Sequence, residues 1–443
     1  MIPNEPRGSQ ALVRFGTDGI RGQAGVTPIT EEVGHALGRA AVRFAATFGG
    51  SRVLVAKDTR PSGPKLEAAI AAGIAGVGGD AMLAGIVPTS GLAAVLAAGL
   101  GDVGVMITAS HNAFEDNGFK VLGPGGRKLG DAENELFESW LAHPEMPTAA
   151  GRVDGVHGRA MAAYSAALVA ALPMREALRG RRVAMDLANG AGVTVRRWLL
   201  DEVPAEWVFV GVGGGRTNEG CGSEHPEALR KAVLEHGCEA GLALDGDGDR
   251  CRIVAADGDL VDGDALAWLL ARASGAKSIA VTVMSTTALE DSLPGVRVVR
   301  TPVGDRHLLE ALARGEAELG CEESGHVVFS DALPTGDGLV TGIRALAHAF
   351  STAGAVRSAV REFVPFPRVV TKVVVRERPP LDSVPALEGA RQDGERALGP
   401  RGRVFLRYSG TEPILRLLVE GPDRDVVARV SADITRVATE TLA

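Results

Sequence analysis

Short apolar, β-branched runs alternate with amphipathic stretches between Arg52 and Ala349, and this alternation constrains the fold more than any other feature of the chain. Strand character falls on Arg52–Ala56, Asp80–Ala84, Val103–Thr108, Arg182–Asp186, Glu206–Val210, Gly241–Leu244, Ser278–Val283, Arg297–Arg300 and Ala317–Cys321. Helical spacing falls at Lys65–Gly76, Thr89–Ala98, Val193–Glu202, Glu227–His236, Ala265–Ala273, Arg306–Ala313 and Gly338–Ala349. Three rounds of this β–α pattern predict α/β layers with partly parallel sheets. The stretch from about residue 368 differs. Pro365, Pro367, Pro379 and Pro380 interrupt it, and Val369–Val375 is β-branched. Strands at Arg403–Tyr408 and Ile414–Glu420, then a helix at Asp425–Thr439, make it a separate α+β domain. At 443 residues, several domains are expected rather than one core.

Composition excludes some function classes. A net charge of −8 and a pI of about 5.7 argue against nonspecific nucleic-acid binding, which needs a basic footprint. No apolar run reaches the roughly 18 residues of a membrane span. The N-terminal Met-Ile-Pro-Asn-Glu-Pro-Arg has no apolar core, so no signal peptide is expected. Cys221, Cys238, Cys251 and Cys321 form no CxxC, which predicts reduced thiols in a cytoplasmic protein.

Five loops carry chemistry. Asp245-Gly-Asp-Gly-Asp-Arg250 puts three carboxylates into six residues. Two like charges ~4 Å apart repel by about 4 kcal/mol at an effective dielectric near 20. Asp245, Asp247 and Asp249 therefore need a cation among them or free exposure to water, and hard oxygen ligands beside phosphate favour Mg²⁺. Arg250 and the absence of the later Glu exclude an EF-hand loop. Thr108-Ala-Ser-His-Asn112, continuing to Lys120, offers Ser110 as a nucleophile after an apolar strand, with His111 and Lys120 as donors or proton carriers. In isolation the same residues also make an ordinary Asn/Ser turn. Arg14–Gly22 combines glycines with Arg21, a candidate phosphate partner or a plain turn. Gly320-Cys-Glu-Glu-Ser-Gly-His326 would present Glu322, Ser324 and His326 to a polyhydroxylated ligand, or serve as a structural turn. Arg407-Tyr-Ser-Gly-Thr-Glu-Pro413 fits an anionic oxygen cluster through Arg407, Ser409, Gly410 and Thr411. It lacks the Gly-Lys-Ser/Thr of a Walker A loop, and nothing in the chain supports a nucleotide cofactor.

In this order, the five motifs resemble the α-D-phosphohexomutase superfamily from end to end. Phe15–Gly22, Asn218–Pro226 and Val303–Arg306 make the chain most similar to the bacterial phosphoglucosamine mutases within it. Ala113 and Glu224 depart from the family pattern, standing where many members have proline and a small residue or threonine. The resemblance implies an α/β fold of four domains around a central cleft, three of them related α/β layered domains and the last a C-terminal α+β domain. The expected limits are 1–157 with a phosphoserine loop, 158–256 with a metal-binding loop, 257–367 with a sugar-recognition loop and 368–443 with a phosphate-binding loop.

The resemblance also implies roles. Ser110 is the expected phosphoserine, and Asp245, Asp247 and Asp249 with its phosphate the expected Mg²⁺ site. Lys120 and Arg250 would assist proton transfer and charge neutralisation. Arg21, His111, Glu322, Ser324, His326, Arg407, Ser409, Gly410 and Thr411 would bind substrate. The implied reaction interconverts glucosamine 6-phosphate and glucosamine 1-phosphate through a hexose (glucosamine) 1,6-bisphosphate, on the route to UDP-N-acetylglucosamine and peptidoglycan. Phosphomannomutase or phosphoglucomutase activity is the alternative within the superfamily, and a Mg²⁺-dependent sugar-phosphate hydrolase the alternative outside it. The expected partner is a small phosphosugar, with no nucleic acid and no membrane. A homodimer is an expectation from the family alone.

Overall fold

The computed structural model of the chain describes residues 13–16, 18–143, 148–409 and 413–443. Eighteen strands form four sheets among these residues. The first holds β1 (Ile20–Gln23), β2 (Arg52–Lys57), β3 (Asp80–Ile86), β4 (Val103–Ile107), β5 (Asp116–Leu122) and β6 (Arg152–Gly155), in the order β1-β5-β4-β2-β3-β6. β2, β3, β4 and β6 pair in parallel, while β5 runs antiparallel to both β4 and β1. β2 is buried on both faces, as a central strand of a layered α/β sheet must be. Val53 and Val55 meet the helices Glu31–Ala46 and Gly63–Ala75 on one side. Leu54 and Ala56 meet the helices Thr89–Ala97 and His157–Ala171 on the other.

The second sheet holds β7 (Arg182–Asp186), β8 (Glu206–Val210), β9 (Ala240–Leu244), β10 (Cys251–Ala255) and β11 (Leu260–Val261), ordered β11-β10-β9-β7-β8. The third holds β12 (Ser278–Thr282), β13 (Arg297–Thr301), β14 (Leu319–Cys321) and β15 (Val327–Phe329), ordered β13-β12-β14-β15. The fourth is antiparallel, β16 (Arg368–Val374), β18 (Ile414–Glu420) and β17 (Arg403–Tyr408) side by side. The helices Pro385–Leu398 and Arg424–Leu442 cover it over a core of Leu415, Leu417, Val419, Val430 and Ile434. The chain separates into two compact units, one running to Val283 and including Val299–Val360, the other made of Met284–Val298 and Arg361–Ala443. Among the described residues, no helix is long and apolar enough to cross a membrane.

Most expected strands and helices stand within a few residues of their predicted limits. Three expectations are corrected. Residues 116–120, expected in a loop, form most of β5, where Asn117 and Lys120 are buried strand residues. Partners outside the strand outweigh the poor strand propensity of Asp, Asn and Gly: Asn117 Nδ2 donates to Ser62 Oγ at 2.8 Å. Arg21, expected in a turn, lies on β1. An expected domain limit at 256 would cut the second sheet, because β11 pairs with β10 through Ile253–Val261 and Val254–Leu260. Six helices, Glu31–Ala46, Asp131–Ala142, His157–Ala171, Ala288–Ser292, Val356–Val360 and Pro385–Leu398, lie outside the predicted pattern.

The sheets deliver the loops. β4 ends at Ile107 and leads into Thr108–Asn112; β5 returns with Lys120. β9 and β10 pair with Leu244 opposite Cys251, so Asp245–Arg250 is the whole connection between them. β14 and β15 pair with Cys321 opposite Val327, leaving Glu322–His326 as their turn.

The helix pair on the first sheet crosses at glycines. A Cβ on Gly38 would lie 2.2 Å from Ile70 O, and one on Gly73 would lie 2.1 Å from His35 O. Gly38→Ala is therefore expected to cost about 1–3 kcal/mol of stability, the usual cost of overpacking. Urea unfolding measures this, and an unchanged midpoint would contradict so close a crossing.

Candidate active site

Three carboxylates meet in the β9–β10 turn. Asp245, Asp247 and Asp249 are all buried, and each offers an oxygen within 4.8 Å of the others. Gly248 allows the turn its positive φ of 75°. Lys120 Nζ reaches across from β5, 2.8 Å from Asp247 Oδ2 and 3.3 Å from Asp249 Oδ2. Thr89 Oγ1, at the start of its helix, donates to Asp247 Oδ2 at 2.6 Å. Ser110 Oγ donates to Asp245 Oδ2 at 2.6 Å.

Lys120 pairs directly with two of the three carboxylates, Asp247 and Asp249, and the three respond unequally. Burial opposes ionisation of Asp249, but Lys120, His326 and Arg250 outweigh it and hold this carboxyl well below the usual range. Burial and Asp249 push Asp247 up, yet Lys120 and Thr89 bring it below its ordinary value. Burial, then Asp249 and Asp247, push Asp245 well above the carboxylate range. Asp247 Oδ1 is buried without a hydrogen-bond partner. Three convergent carboxylates, with orphaned oxygens on Asp247 and Asp249, fit a small divalent cation.

A network of charges continues below the turn. Asp18 forms an ion pair with Lys120 Nζ at 2.8 Å and accepts from Lys128 Nζ at 2.5 Å and from Arg21 at 2.7 Å. Burial raises the Asp18 carboxyl, and Lys120, Lys128 and Arg21 together overcome that and lower it. Lys128 also pairs with Asp305. His326 lies between Asp249 and Asp305, with ring nitrogens 3.7 Å and 3.3 Å from their oxygens. Burial alone would depress this imidazole, but Asp305 and Asp249 raise it to about 9.

Next to these groups is a cavity of about 470 Å³, walled by Arg14, Arg21, His111, Arg250, Asp305 and Glu322 among others. Glu322 accepts from Gly304 N at 3.0 Å and from Ser324 Oγ at 3.1 Å. Ser324 therefore orients Glu322. His326 also borders the cavity, although its nitrogens face carboxylates. Burial, then Arg250 and Arg21, lower His111 to about 4, leaving it a neutral imidazole at pH 7. Ser110 is 1% exposed, and its Oγ lies 3.4 Å from His111 Nδ1. Ser110 is not itself among the residues that line the cavity, whereas its neighbour His111 is.

The structure thus brings together Arg21, Ser110, His111, Lys120, Asp245, Asp247, Asp249, Arg250, Glu322, Ser324 and His326. Arg407 and Ser409 belong to the second unit, at and just beyond β17. Gly410 and Thr411 lie outside the described residues. Asp18, Thr89, Lys128 and Asp305 were not expected in the site. Asp18 and Asp305 stand inside two of the quoted motifs; Thr89 and Lys128 carry no local signal.

Lys120→Met is expected to destabilise the chain by about 3–5 kcal/mol in chelator-containing buffer, since it strips the cation from a buried charge cluster. Denaturant unfolding of both proteins checks this, and a loss below about 1 kcal/mol, the scale of an exposed pair, would refute it.

Comparison with known proteins identifies the family. Residues 12–145 match the phosphoglucomutase/phosphomannomutase alpha/beta/alpha domain I, residues 262–365 match domain III, and residues 371–437 match the C-terminal domain of that family. The chain is 40% identical to the phosphoglucosamine mutase of Gluconacetobacter diazotrophicus, over 95% of this chain and 96% of that one. It is 41% identical to that of Rhodopseudomonas palustris, over 97% and 98%. Its fold matches a phosphoglucomutase/phosphomannomutase family protein of Burkholderia thailandensis with a TM-score of 0.78 at 23% identity, over 97% of this chain and 98% of that one. It also matches Aspergillus fumigatus N-acetylphosphoglucosamine mutase, solved with GlcNAc-6P and magnesium, with a TM-score of 0.66 at 17% identity over 97% and 96%. With a serine against a buried aspartate triad and end-to-end likeness at this level, the chain belongs to the phosphoglucomutase/phosphomannomutase family, the α-D-phosphohexomutases.

Proposed function

We propose that this chain is a mutase that interconverts glucosamine 6-phosphate and glucosamine 1-phosphate through phosphorylated Ser110 and a glucosamine 1,6-bisphosphate. The observation that carries the reading is the 2.6 Å contact of Ser110 Oγ with Asp245 inside the triad. The glucosamine preference is supported by relatives of that name at about 40% identity over nearly the whole chain. Four functional domains remain the proposed organisation, each carrying one sheet, with the second ending near residue 261.

Asp245, Asp247 and Asp249 would hold Mg²⁺ together with the Ser110 phosphate, and the orphaned Asp247 Oδ1 supports this. Bound there, Mg²⁺ supplies neutralisation of the charge on the transferring phosphoryl group. In the forward direction the serine ester bond to phosphorus breaks as a bond to the sugar hydroxyl forms, and the hydroxyl proton passes to a base. The second phosphoryl group of the bisphosphate then returns to Ser110. Lys120 and Arg250 face the developing charge, and their own carboxylate partners keep both cationic. Glu322, oriented by Ser324, is placed to read sugar hydroxyls. Arg407, Ser409, Gly410 and Thr411 are proposed to grip the distal phosphate.

Three measurements test the reading. Ser110→Ala should lower mutase turnover by at least about 10³-fold with its folding intact, because positioning and charge stabilisation without a nucleophile leave little. Wild-type turnover in that variant would end the phosphoserine role. Asp247→Asn should lower activity and weaken the response to added Mg²⁺ together, and an unchanged Mg²⁺ titration would remove Asp247 from the metal site. Finally, kcat/KM should be higher for glucosamine phosphate than for glucose or mannose phosphates. Equal values would refute the amino-sugar preference, and phosphate release without isomer formation would refute the mutase.

A further inference from the structure

We infer that Arg60 and Asn218 are positioning residues that clamp the main chain of Ser110 from two sides and hold its oxygen toward the acidic turn. The inference rests on the phosphoserine reading above. Ser110 has a φ of 52°, a left-handed conformation that residues with a Cβ rarely adopt unless their surroundings impose it. Those surroundings are unusually specific here.

The Arg60 side chain is fully buried, and every guanidinium N–H is engaged. Nε donates to Asp58 Oδ2 at 2.9 Å. One terminal nitrogen donates to Asp116 O at 2.8 Å and to Ala113 O. The other donates to Ser110 O and Asn112 O, both at 2.9 Å. Asn218 approaches the same two carbonyls from the connection that follows β8: its Nδ2 lies 2.8 Å from Ser110 O and 3.0 Å from Asn112 O. The amide of Ser110 is held as well, because it donates to Thr108 Oγ1 at 2.9 Å, which in turn donates to Asp58 Oδ2 at 2.7 Å. Both peptide groups flanking the serine are thus anchored, and the side chain is what remains to act.

The acidic turn packs against this arrangement. A Cβ on Gly246 would lie 2.5 Å from Ser110 O and 3.0 Å from Asn218 Nδ2. Thr59 and Thr217, the neighbours of the two clamp residues, meet through their hydroxyls at 2.9 Å. Nucleophile loop, clamp and carboxylate turn are therefore one contiguous set of contacts across the seam of the first two sheets. Arg60 and Asn218 touch the serine backbone and act on the reaction only through where they put its Oγ.

Asn218→Gly is the test variant, because Asn218 itself has a φ of 63° and glycine keeps that conformation while removing the amide. With the holoenzyme in Mg²⁺ and glucosamine 6-phosphate, kcat is expected to fall about 10–100-fold, the scale of a displaced reacting group. KM should stay within about twofold, because no sugar contact changes. A parallel single-turnover measurement follows phosphoryl transfer from glucose 1,6-bisphosphate to dephosphorylated enzyme, which should slow by a similar factor. Arg60→Lys, which keeps the charge but loses the fork, should show the same kcat-selective loss if it folds. Wild-type kcat and labelling in Asn218→Gly would overturn the clamp, and so would a fall in kcat matched by a large drop in melting temperature. Failure of the wild-type protein to become labelled would overturn the phosphoserine reading and the clamp with it.

Discussion

Three carboxylates buried in one turn are the constraint to which the rest of this site answers. Water cannot screen Asp245, Asp247 and Asp249, so neighbouring groups must do it. Lys120 comes from β5 of the first sheet, and His326 from the β14–β15 turn of the third. Arg250 closes the turn itself, its own amide donating to Asp245 Oδ1 at 3.2 Å. Each of these cations is in turn paired with a carboxylate. Asp18 binds Lys120, Glu224 binds Arg250, and Asp305 binds His326. The alternating charges draw loops from three sheets to one place. A single-site loss in such a network is felt by several partners, so its members are not expected to act additively.

The position of Glu224 follows from the same electrostatics. Its carboxylate lies 3.4 Å from Arg250, partly exposed beside the turn. A small residue or threonine there would leave Arg250 to Asp245, Asp249 and Glu322. The extra negative charge makes the arginine harder to draw away from its place, and it also contributes to the field around His111.

Much of the architecture was legible in local pattern. β7, β8, β17 and β18 have the limits their apolar runs predict. The helix Glu31–Ala46 had signals as clear as any, an N-cap Thr30 that accepts from Val33 N and two acidic residues in the first turn. β5 had none: Asp116, Asn117, Gly118 and Lys120 read as loop because their partners lie on other elements. The same reason hid Thr89, Lys128 and Arg60 as parts of the site. A buried arginine surrounded by carbonyls looks in sequence like any surface arginine, since its partners are main-chain atoms without a residue signature.

The chemical inventory, then, belongs to the sequence alone: three aspartates at alternate positions, a serine after an apolar strand, a Glu-x-Ser turn and the β–α alternation that carries them. Local spacing suffices for these because strand period, turn propensity and ligand type are properties of neighbours along the chain. Which cation answers which carboxylate was decided only by the tertiary structure, as were the left-handed backbone of Ser110 and the convergence of three turns on one cavity. Electrostatic and hydrogen-bond partners more than a hundred residues apart meet only through the packing of whole sheets, and Coulomb energy depends on that distance in space rather than on separation in sequence.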